Sequence, residues 1–516
     1  MTRPALPDWL DPLPDAARMR ATDAWAIDEL GIPGVDLMDR AGAALASVVE
    51  RVAPQGTIAV VCGKGNNGGD GYVLARLLRE QGRDVRVLVT APVAELRGDA
   101  AHHAALLPGP GPVPFAAAGL HGVTLVVDAI LGTGVTGEPR GAARYAIDAI
   151  VESGVPVVAC DVPSGVDAST GEAAGVAIRA VATATFHAAK PGLWINPGKE
   201  RSGVLAVCDI GIPAGAPTEP ADVGLLTERV LDGLPGRGAA STKFTSGHVL
   251  VAGGSRGLTG APCLAALGAM RGGAGYVTAC VPGSLEEVVA IALMEAMTVP
   301  LPDHGGALVA DGAALVAERA ARRGGALVLG PGLGTAAASR TFARGLAAVA
   351  DVPLVLDADG LGAHAGRVAD LAARTAPTVL TPHAGELARL LDTSSERVQA
   401  ARLEHAHTAA EHAHAVVVLK GDDTLVADPD GRVAISQGGA PALATAGTGD
   451  VLAGLVGALL AQGVEPFRAA CAAVELHARA GRLAAEQHGP DGVVAGDVAA
   501  ALGRARLRDG DRGAGR

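Results

Sequence analysis

Short runs of consecutive apolar residues alternate along the chain with longer stretches whose apolar positions recur every three or four residues. The first pattern predicts strands buried on both faces and the second amphipathic helices, so together they predict an α/β architecture with parallel strands. In the first half the runs fall at residues 57–62, 85–90, 123–128, 156–161, 182–186 and 203–208. Between about 212 and 242 the chain lapses into Pro, Gly, Ala and Thr, and a linker without a strand is expected there. Runs resume at 248–253, 275–281, 326–330, 353–357, 377–381 and 415–420, and a hairpin is expected over 423–436, turning at Pro429-Asp430-Gly431. Two domains follow, residues 1–215 and 242–507, with a linker at 216–241. The tail 508–516 (RDGDRGAGR) is expected to be disordered.

Composition narrows the function classes. The 516 residues carry a net charge of −12, with no basic stripe to neutralise phosphates, which argues against a nucleic-acid partner. No apolar run approaches the ~20 residues of a membrane span, and the N-terminus lacks the order of a signal peptide, so a soluble, cytoplasmic protein is expected. Six scattered cysteines without metal-ligand spacing are expected to be buried thiols. Large Ala-rich α/β chains are often homo-oligomers, which is the expectation here. Only five lysines (Lys64, Lys190, Lys199, Lys243, Lys420) and three asparagines (Asn66, Asn67, Asn196) occur, so the positions that keep them stand out against the Ala-, Gly- and Arg-rich background.

Two of those asparagines and one lysine lie in Gly63-Lys64-Gly65-Asn66-Asn67-Gly68-Gly69-Asp70-Gly71, between an apolar strand and a helical stretch. Such a turn brings backbone N–H groups close to phosphate or ribose at the positive end of a helix dipole. It is neither the dinucleotide fingerprint nor a P-loop. Asp128 ends a later strand before Gly132-Thr133-Gly134, and Asp161 ends the next before Val162-Pro163-Ser164-Gly165. Carboxyl strand ends of an open parallel sheet share one crevice, so these loops are expected to meet. Either aspartate alone could instead cap a helix.

These residues, with Leu37-Met38-Asp39-Arg40-Ala41-Gly42 and Lys190-Pro191-Gly192-Leu193, resemble the NAD(P)H-hydrate epimerase domain over nearly all of residues 20–213. The resemblance implies a Rossmann-like three-layer domain, an isomerase that interconverts the R and S epimers of hydrated NADH and NADPH (NADHX and NADPHX). It implies that Asn66, Asn67, Gly68, Gly69 and Asp70, the loop Gly132, Thr133, Gly134, Val135, Thr136, Gly137 and Glu138, and Asp161 contact the hydrate. It further implies potassium held by Asn67, Asp128 and Ser164, an all-oxygen set that suits this ion. Asp161 is the expected acid/base group, on position and chemistry. Asp39 stands where the family pattern has glutamate, a conservative departure.

In the second half, Thr445-Ala446-Gly447-Thr448-Gly449-Asp450 opens a long apolar helical stretch. Converging N–H groups there offer an anion hole, and Asp450 either caps the helix or deprotonates a hydroxyl facing a phosphoryl donor. Lys420 ends a strand before Gly421, as a phosphate partner or a solvated lysine. His383 is set apart from the surface histidines His405, His407, His412 and His414 by its Thr-Pro-His-x-Gly-Glu setting. With Gly330-Pro331-Gly332-Leu333-Gly334 and Asp357-Ala358-Asp359-Gly360, these motifs resemble, in order, the ADP-dependent NAD(P)H-hydrate dehydratase, a ribokinase-like lyase, over about residues 242–505. The resemblance implies dehydration of the S-hydrate at the expense of ADP, with magnesium. Asp450 would be the base. Lys420, Gly421, Asp422, Asp423, Thr424, Gly447, Thr448 and Gly449 would bind the nucleotide, and Ala261, Gly332, His383 and Asp450 the hydrate. Ala446 and Ser246 depart from the pattern, where a glycine and an aromatic are expected, without removing a catalytic group.

The expectation is therefore a bifunctional repair enzyme for hydrated nicotinamide nucleotides, acting on NADHX, NADPHX and ADP. The rival is a ribokinase-like small-molecule kinase with a non-catalytic nucleotide-binding N-terminal domain.

Overall fold

The computed structural model describes residues 4–323 and 325–507, so the tail expected to be disordered lies outside the described residues. The chain forms two compact units. One is Pro12–Val223; the other joins the described residues before Pro12 to those from Gly224 to Leu507.

The first unit carries a seven-stranded parallel sheet in the spatial order Val113–Pro114, Val85–Val89, Ile58–Cys62, Leu125–Ala129, Val157–Cys160, Ala182–Phe186, Val204–Cys208. Alternate residues of each strand feed two separate cores. Val60, Cys62, Val127 and Ala129 pack with Leu45 and Tyr72 of the helices Gly34–Val52 and Asn66–Glu80. Ala59, Val61 and Val126 pack with Ile147 and Ile150 of the helix Gly141–Ser153 on the opposite face. Three layers result, in line with the expectation. The register sets Cys62 level with Ala129 and Asp128 level with Ala159, so the loops after three neighbouring strands open along one edge. Strand order reverses between Ile58–Cys62 and Leu125–Ala129, which places a crevice at that edge.

The second unit holds an eleven-stranded mixed sheet. Val416–Leu419, Thr378–Leu380, Leu354–Leu356, Ala326–Leu329, His248–Ala252, Tyr276–Pro282 and Met297–Leu301 run parallel, and Leu425–Ala427 and Val433–Ile435 add the expected hairpin. The helices Gly260–Arg271, Thr448–Ala461 and Pro466–His488 bury one face of this sheet. Order reverses between His248–Ala252 and Ala326–Leu329, where Gly254 N–H donates to the Pro331 carbonyl at 2.8 Å.

The expected linker needs correcting. Val223–Leu226 is a strand of the second unit's sheet, and Leu10–Pro12, at the far end of the sequence, pairs beside it. A four-residue run flanked by Asp222 and Thr227 and interrupted by Gly224 is too short to register as a strand; its neighbours Trp9, Leu10 and Val230, all buried with Leu226 in one cluster, make it one. The expected domain boundaries at 215 and 242 accordingly fall at 223 and 224, with the described residues before Pro12 transferred to the second unit.

Candidate active sites

In the first unit, the crevice at the strand reversal is a cavity of about 770 Å³. Asn66, Asn67, Asp70, Gly132, Thr133, Gly134, Val135 and Asp161 line it, as expected of loops from level strand ends. Thr136, Gly137 and Glu138 are exposed and outside its lining, with Glu138 paired to Arg144 at 2.5 Å. Gly68 and Gly69 serve the backbone instead. A Cβ on Gly68 would stand 2.1 Å from the Gly63 carbonyl oxygen, and one on Gly69 2.4 Å from Met38 Sδ. Their lack of side chains lets the turn close onto its strand and onto the helix carrying Met38.

Asp161 adopts a left-handed backbone (φ 63°), rare for a residue with a Cβ and common where a site fixes a side chain. Both carboxylate oxygens are engaged. Oδ1 accepts from Lys190 Nζ at 2.6 Å and Thr185 Oγ1 at 3.2 Å, and Oδ2 accepts from Thr133 Oγ1. Burial alone would raise its pKa, but the Lys190 charge and the bonds from Lys190 and Thr133 outweigh it and hold the carboxyl below its usual range. Asp161 is thus a firmly ionised group, which changes the acid/base role expected of it. Lys190 is almost wholly buried, and its ammonium also donates to Thr185 Oγ1 and the Phe186 carbonyl.

Asn67, Asp128 and Ser164 converge on one stretch of backbone. Asn67 Nδ2 donates to the Leu131 carbonyl at 3.0 Å, leaving its Oδ1 beside Gly132. Ser164 Oγ accepts from Leu131 N–H at 2.9 Å and donates to Asp128 Oδ1 at 2.6 Å, while Asp128 Oδ2 accepts from Ser164 N–H. Burial pushes Asp128 up to about 6 against these bonds.

In the second unit, Lys420 gathers the carboxylates. Its Nζ lies 3.1 Å from Asp357 Oδ1 and 3.6 Å from Glu386 Oε2. Burial would lower the lysine's pKa, yet Asp357, Glu386 and Asp450 raise it, so the ammonium is firmly charged. A Cβ on Gly449 would stand 3.4 Å from that ammonium, which places Lys420 against the N-terminus of the helix Thr448–Ala461. Gly447 precedes that helix with φ 90°, a conformation that favours glycine. Asp450, in the first turn, is pushed up to about 7, chiefly by burial and next by Asp357, with Lys420 acting the other way. Thr448 Oγ1 is occupied by the Leu443 and Thr445 carbonyls.

His383 is a helix cap. Its Nδ1 accepts from the N–H groups of Gly385 (3.0 Å) and Glu386 (3.3 Å), and Glu386 Oε2 returns the bond to His383 N–H. Nε2 lies 3.6 Å from Glu386 Oε2 on a side chain that is more than half exposed, so this outer edge of the ring is the part able to meet a ligand. Asp423 differs from its expected nucleotide contact: it is buried and paired with Arg402 Nε at 2.9 Å. Arg402 also donates to the Leu419 and Lys420 carbonyls, so the pair shapes the turn on which Gly421, Asp422 and Thr424 sit. Ala261 and Gly332 adjoin one another at the second strand reversal, where a Cβ on Gly332 would lie 3.1 Å from Ala261 Cβ.

Comparison with known proteins matches residues 249–504 to the NAD(P)H-hydrate dehydratase family and residues 34–192 to the YjeF-related protein N-terminus family. A bifunctional NAD(P)H-hydrate repair enzyme from Moorella thermoacetica is 41% identical over 501 residues, covering 94% of each chain. The chain belongs to the bifunctional NAD(P)H-hydrate repair enzymes. A second member, from Salinibacter ruber, is 40% identical over 514 residues, again covering 94% of both chains. Among solved structures, an ADP/ATP-dependent NAD(P)H-hydrate dehydratase from Bacillus subtilis, co-crystallised with ATP and Mg2+, is 32% identical. It covers 55% of this chain and 96% of its own, with a TM-score of 0.47.

For this repair enzyme, sequence reasoning missed three groups. Asp23 lines the first cavity from the helix Ala16–Asp28, Lys190 stands out as a scarce lysine but without a role, and the pair Asp357 and Glu386 flanks Lys420 rather than standing apart from it. The scarcity of lysine was a usable signal for Lys190; Asp23, one acidic residue on an ordinary helix, carried none.

Proposed function

We propose that the first unit interconverts the R and S hydrates of NADH and NADPH and that the second dehydrates the S-hydrate at the expense of ADP. The observation that carries the reading is Asp450, a carboxylate poised at about 7 in the first turn of a helix, beside a charged lysine. A base needs a pKa near the working pH, and the helix N-terminus supplies N–H donors for the phosphoryl group it faces. Asp450 takes the proton of the hydrate hydroxyl as that oxygen attacks the terminal phosphorus of ADP and the bond to AMP breaks. Loss of phosphate from carbon, with a proton from the neighbouring carbon, then gives NAD(P)H, and the water of the hydrate ends in the phosphate released.

Lys420 and the N–H groups from Gly447 to Gly449 hold the nucleotide phosphates, with Gly421, Asp422 and Thr424 on the adjoining turn; Ala261, Gly332 and the Nε2 side of His383 meet the hydrate. Magnesium would enter with the nucleotide, held chiefly by its phosphate oxygens and neutralising their charge, since Asp357 and Glu386 are taken up by Lys420 and Asp450 serves as the base. In the first unit Asn66, Asn67, Asp70, Gly132 to Val135 and Asp161 hold the hydrate. Asn67 Oδ1, Asp128 and Ser164 around the Leu131 carbonyl form the oxygen set suited to potassium.

A mixture of R- and S-hydrate with protein and ADP, followed by NADH absorbance, tests the reading. Complete conversion is expected. A stop near half would leave the first unit without epimerase activity, and phosphate appearing on another alcohol without conversion would favour the kinase. Repeating the assay with ATP settles the donor.

A further inference from the structure

A carboxylate whose two oxygens are filled by donors and whose charge is fixed by a buried lysine is a poor proton carrier, and that is the state of Asp161. The first cavity holds another carboxylate in the opposite state. Met19, Asp23 and Ile27 follow each other at four-residue intervals on the helix Ala16–Asp28 and turn one face to the cavity. Asp23 accepts no hydrogen bond among the described residues, and it is half-buried between the apolar Met19 and Ile27.

We infer that Asp23 is the proton-transferring catalytic residue of the epimerase reaction, with Asp161, held by Lys190, as its charge-stabilising counterpart; this rests on the epimerase reading of the first unit. Burial pushes Asp23 up to about 6. Lys190 opposes the rise, while Asp161 adds to it, and Asp70, itself raised well above its usual range by burial and by Asp161, faces the same group. Titratable neighbours driven apart in this way divide into a proton carrier and a charge stabiliser.

The hydrate hydroxyl sits on a carbon bonded to the ring nitrogen. Asp23, as the acid, gives its proton to that hydroxyl while the C–O electron pair leaves with oxygen as water. The nitrogen lone pair closes onto the carbon, and the resulting iminium charge faces the Asp161 carboxylate. A water molecule then adds from the other face and loses its proton to cavity water, from which the Asp23 carboxylate is reprotonated. Atoms and charge balance, and only the configuration of the carbon has changed. The reverse direction runs these steps backwards: the hydroxyl on the other face leaves with a proton from cavity water, and the Asp23 carboxylate takes the proton of the water that adds on its own face.

The test uses the full chain carrying Asp23→Asn and Asp23→Glu. Epimerisation of pure R-hydrate is followed without ADP by chromatographic separation of the two hydrates, across pH 5 to 9. For Asp23→Asn the expected result is a kcat about a hundredfold lower with KM within about threefold, and loss of the limb of the pH profile near 6. Asp23→Glu should regain at least about tenfold over the amide and restore a limb, which a merely structural role would not do. Thermal unfolding of the same preparations, followed by circular dichroism and compared with the unsubstituted chain, reports that both units are folded. A wild-type kcat and pH profile in Asp23→Asn would overturn the inference. Failure of the unsubstituted chain to convert R-hydrate would instead overturn the epimerase reading itself.

Discussion

Asp450 and Asp161 are both strand- or helix-end aspartates beside a lysine, yet their surroundings set them to opposite tasks. Lys190 donates directly to Asp161, so attraction exceeds desolvation and the carboxyl stays ionised. Lys420 is taken up by Asp357 and Glu386, so Asp450 feels burial and its fellow carboxylates more than the ammonium, and its pKa rises to about 7. A base must be ionised to act. Dehydratase kcat is therefore expected to rise as pH increases through about 7 and level off above it. Asp450→Asn should lower dehydration by at least about a thousandfold and flatten that limb, with epimerisation of R-hydrate unchanged. Loss of both activities in a folded variant would show that the two sites are not independent.

At the scale of elements, the second active site depends on two helices that touch backbone to backbone. A Cβ on Gly454 would stand 1.9 Å from the Ala265 carbonyl oxygen, and one on Gly268 2.3 Å from that of Val451. The helices Gly260–Arg271 and Thr448–Ala461 thus interlock through reciprocal glycines, and the second of them carries Asp450. Gly454→Ala cannot be absorbed by a rotamer change, because backbone is what the methyl meets. It should cost about 2 kcal/mol or more, read as a lower denaturation midpoint, with dehydratase kcat falling because Gly447 to Asp450 shift with their helix. Unaltered stability would mean the helices separate freely.

Elements of this kind explain what could be read from sequence. Interior parallel strands such as Ile58–Cys62 and Val416–Leu419 are buried on every residue, so their continuous apolar runs stand out. The edge strand Met297–Leu301 is largely open to solvent and shows no such run, and Leu10–Pro12 owes its pairing to residues more than 200 positions away. Motif loops at level strand ends converge because the register is uniform, which the alternation already implied. Asp23 reaches the cavity only through the packing of its helix, and Asp423 turns inward because Arg402 waits there; neither is encoded locally.

For the molecule as a whole, the first unit is an insertion in the chain of the second, since the strands that flank it in sequence, Leu10–Pro12 and Val223–Leu226, are neighbours in the second unit's sheet. The N-terminal segment is well anchored there. The Trp9 ring lies 5.6 Å from that of Phe467, the Trp9 carbonyl accepts from Thr227 Oγ1 at 2.9 Å, and Asp11 pairs with Arg229. Trp9 and Phe467 are both buried in the same core as the helix bearing Asp450. The exposed ion pair adds little, whereas deleting a buried tryptophan side chain typically costs about 3–5 kcal/mol. Trp9→Ala is therefore expected to destabilise the dehydratase unit, although residue 9 lies at the opposite end of the sequence from its catalytic helix. Heating the protein in steps and assaying each activity should show dehydration lost at a lower temperature than in the unsubstituted chain, with epimerisation lost at an unchanged one. ADP should restore part of the difference, because a ligand bound only by the folded unit stabilises it by mass action. Parallel loss of the two activities, or an unchanged dehydratase midpoint, would refute the assignment of this N-terminal strand to the second unit.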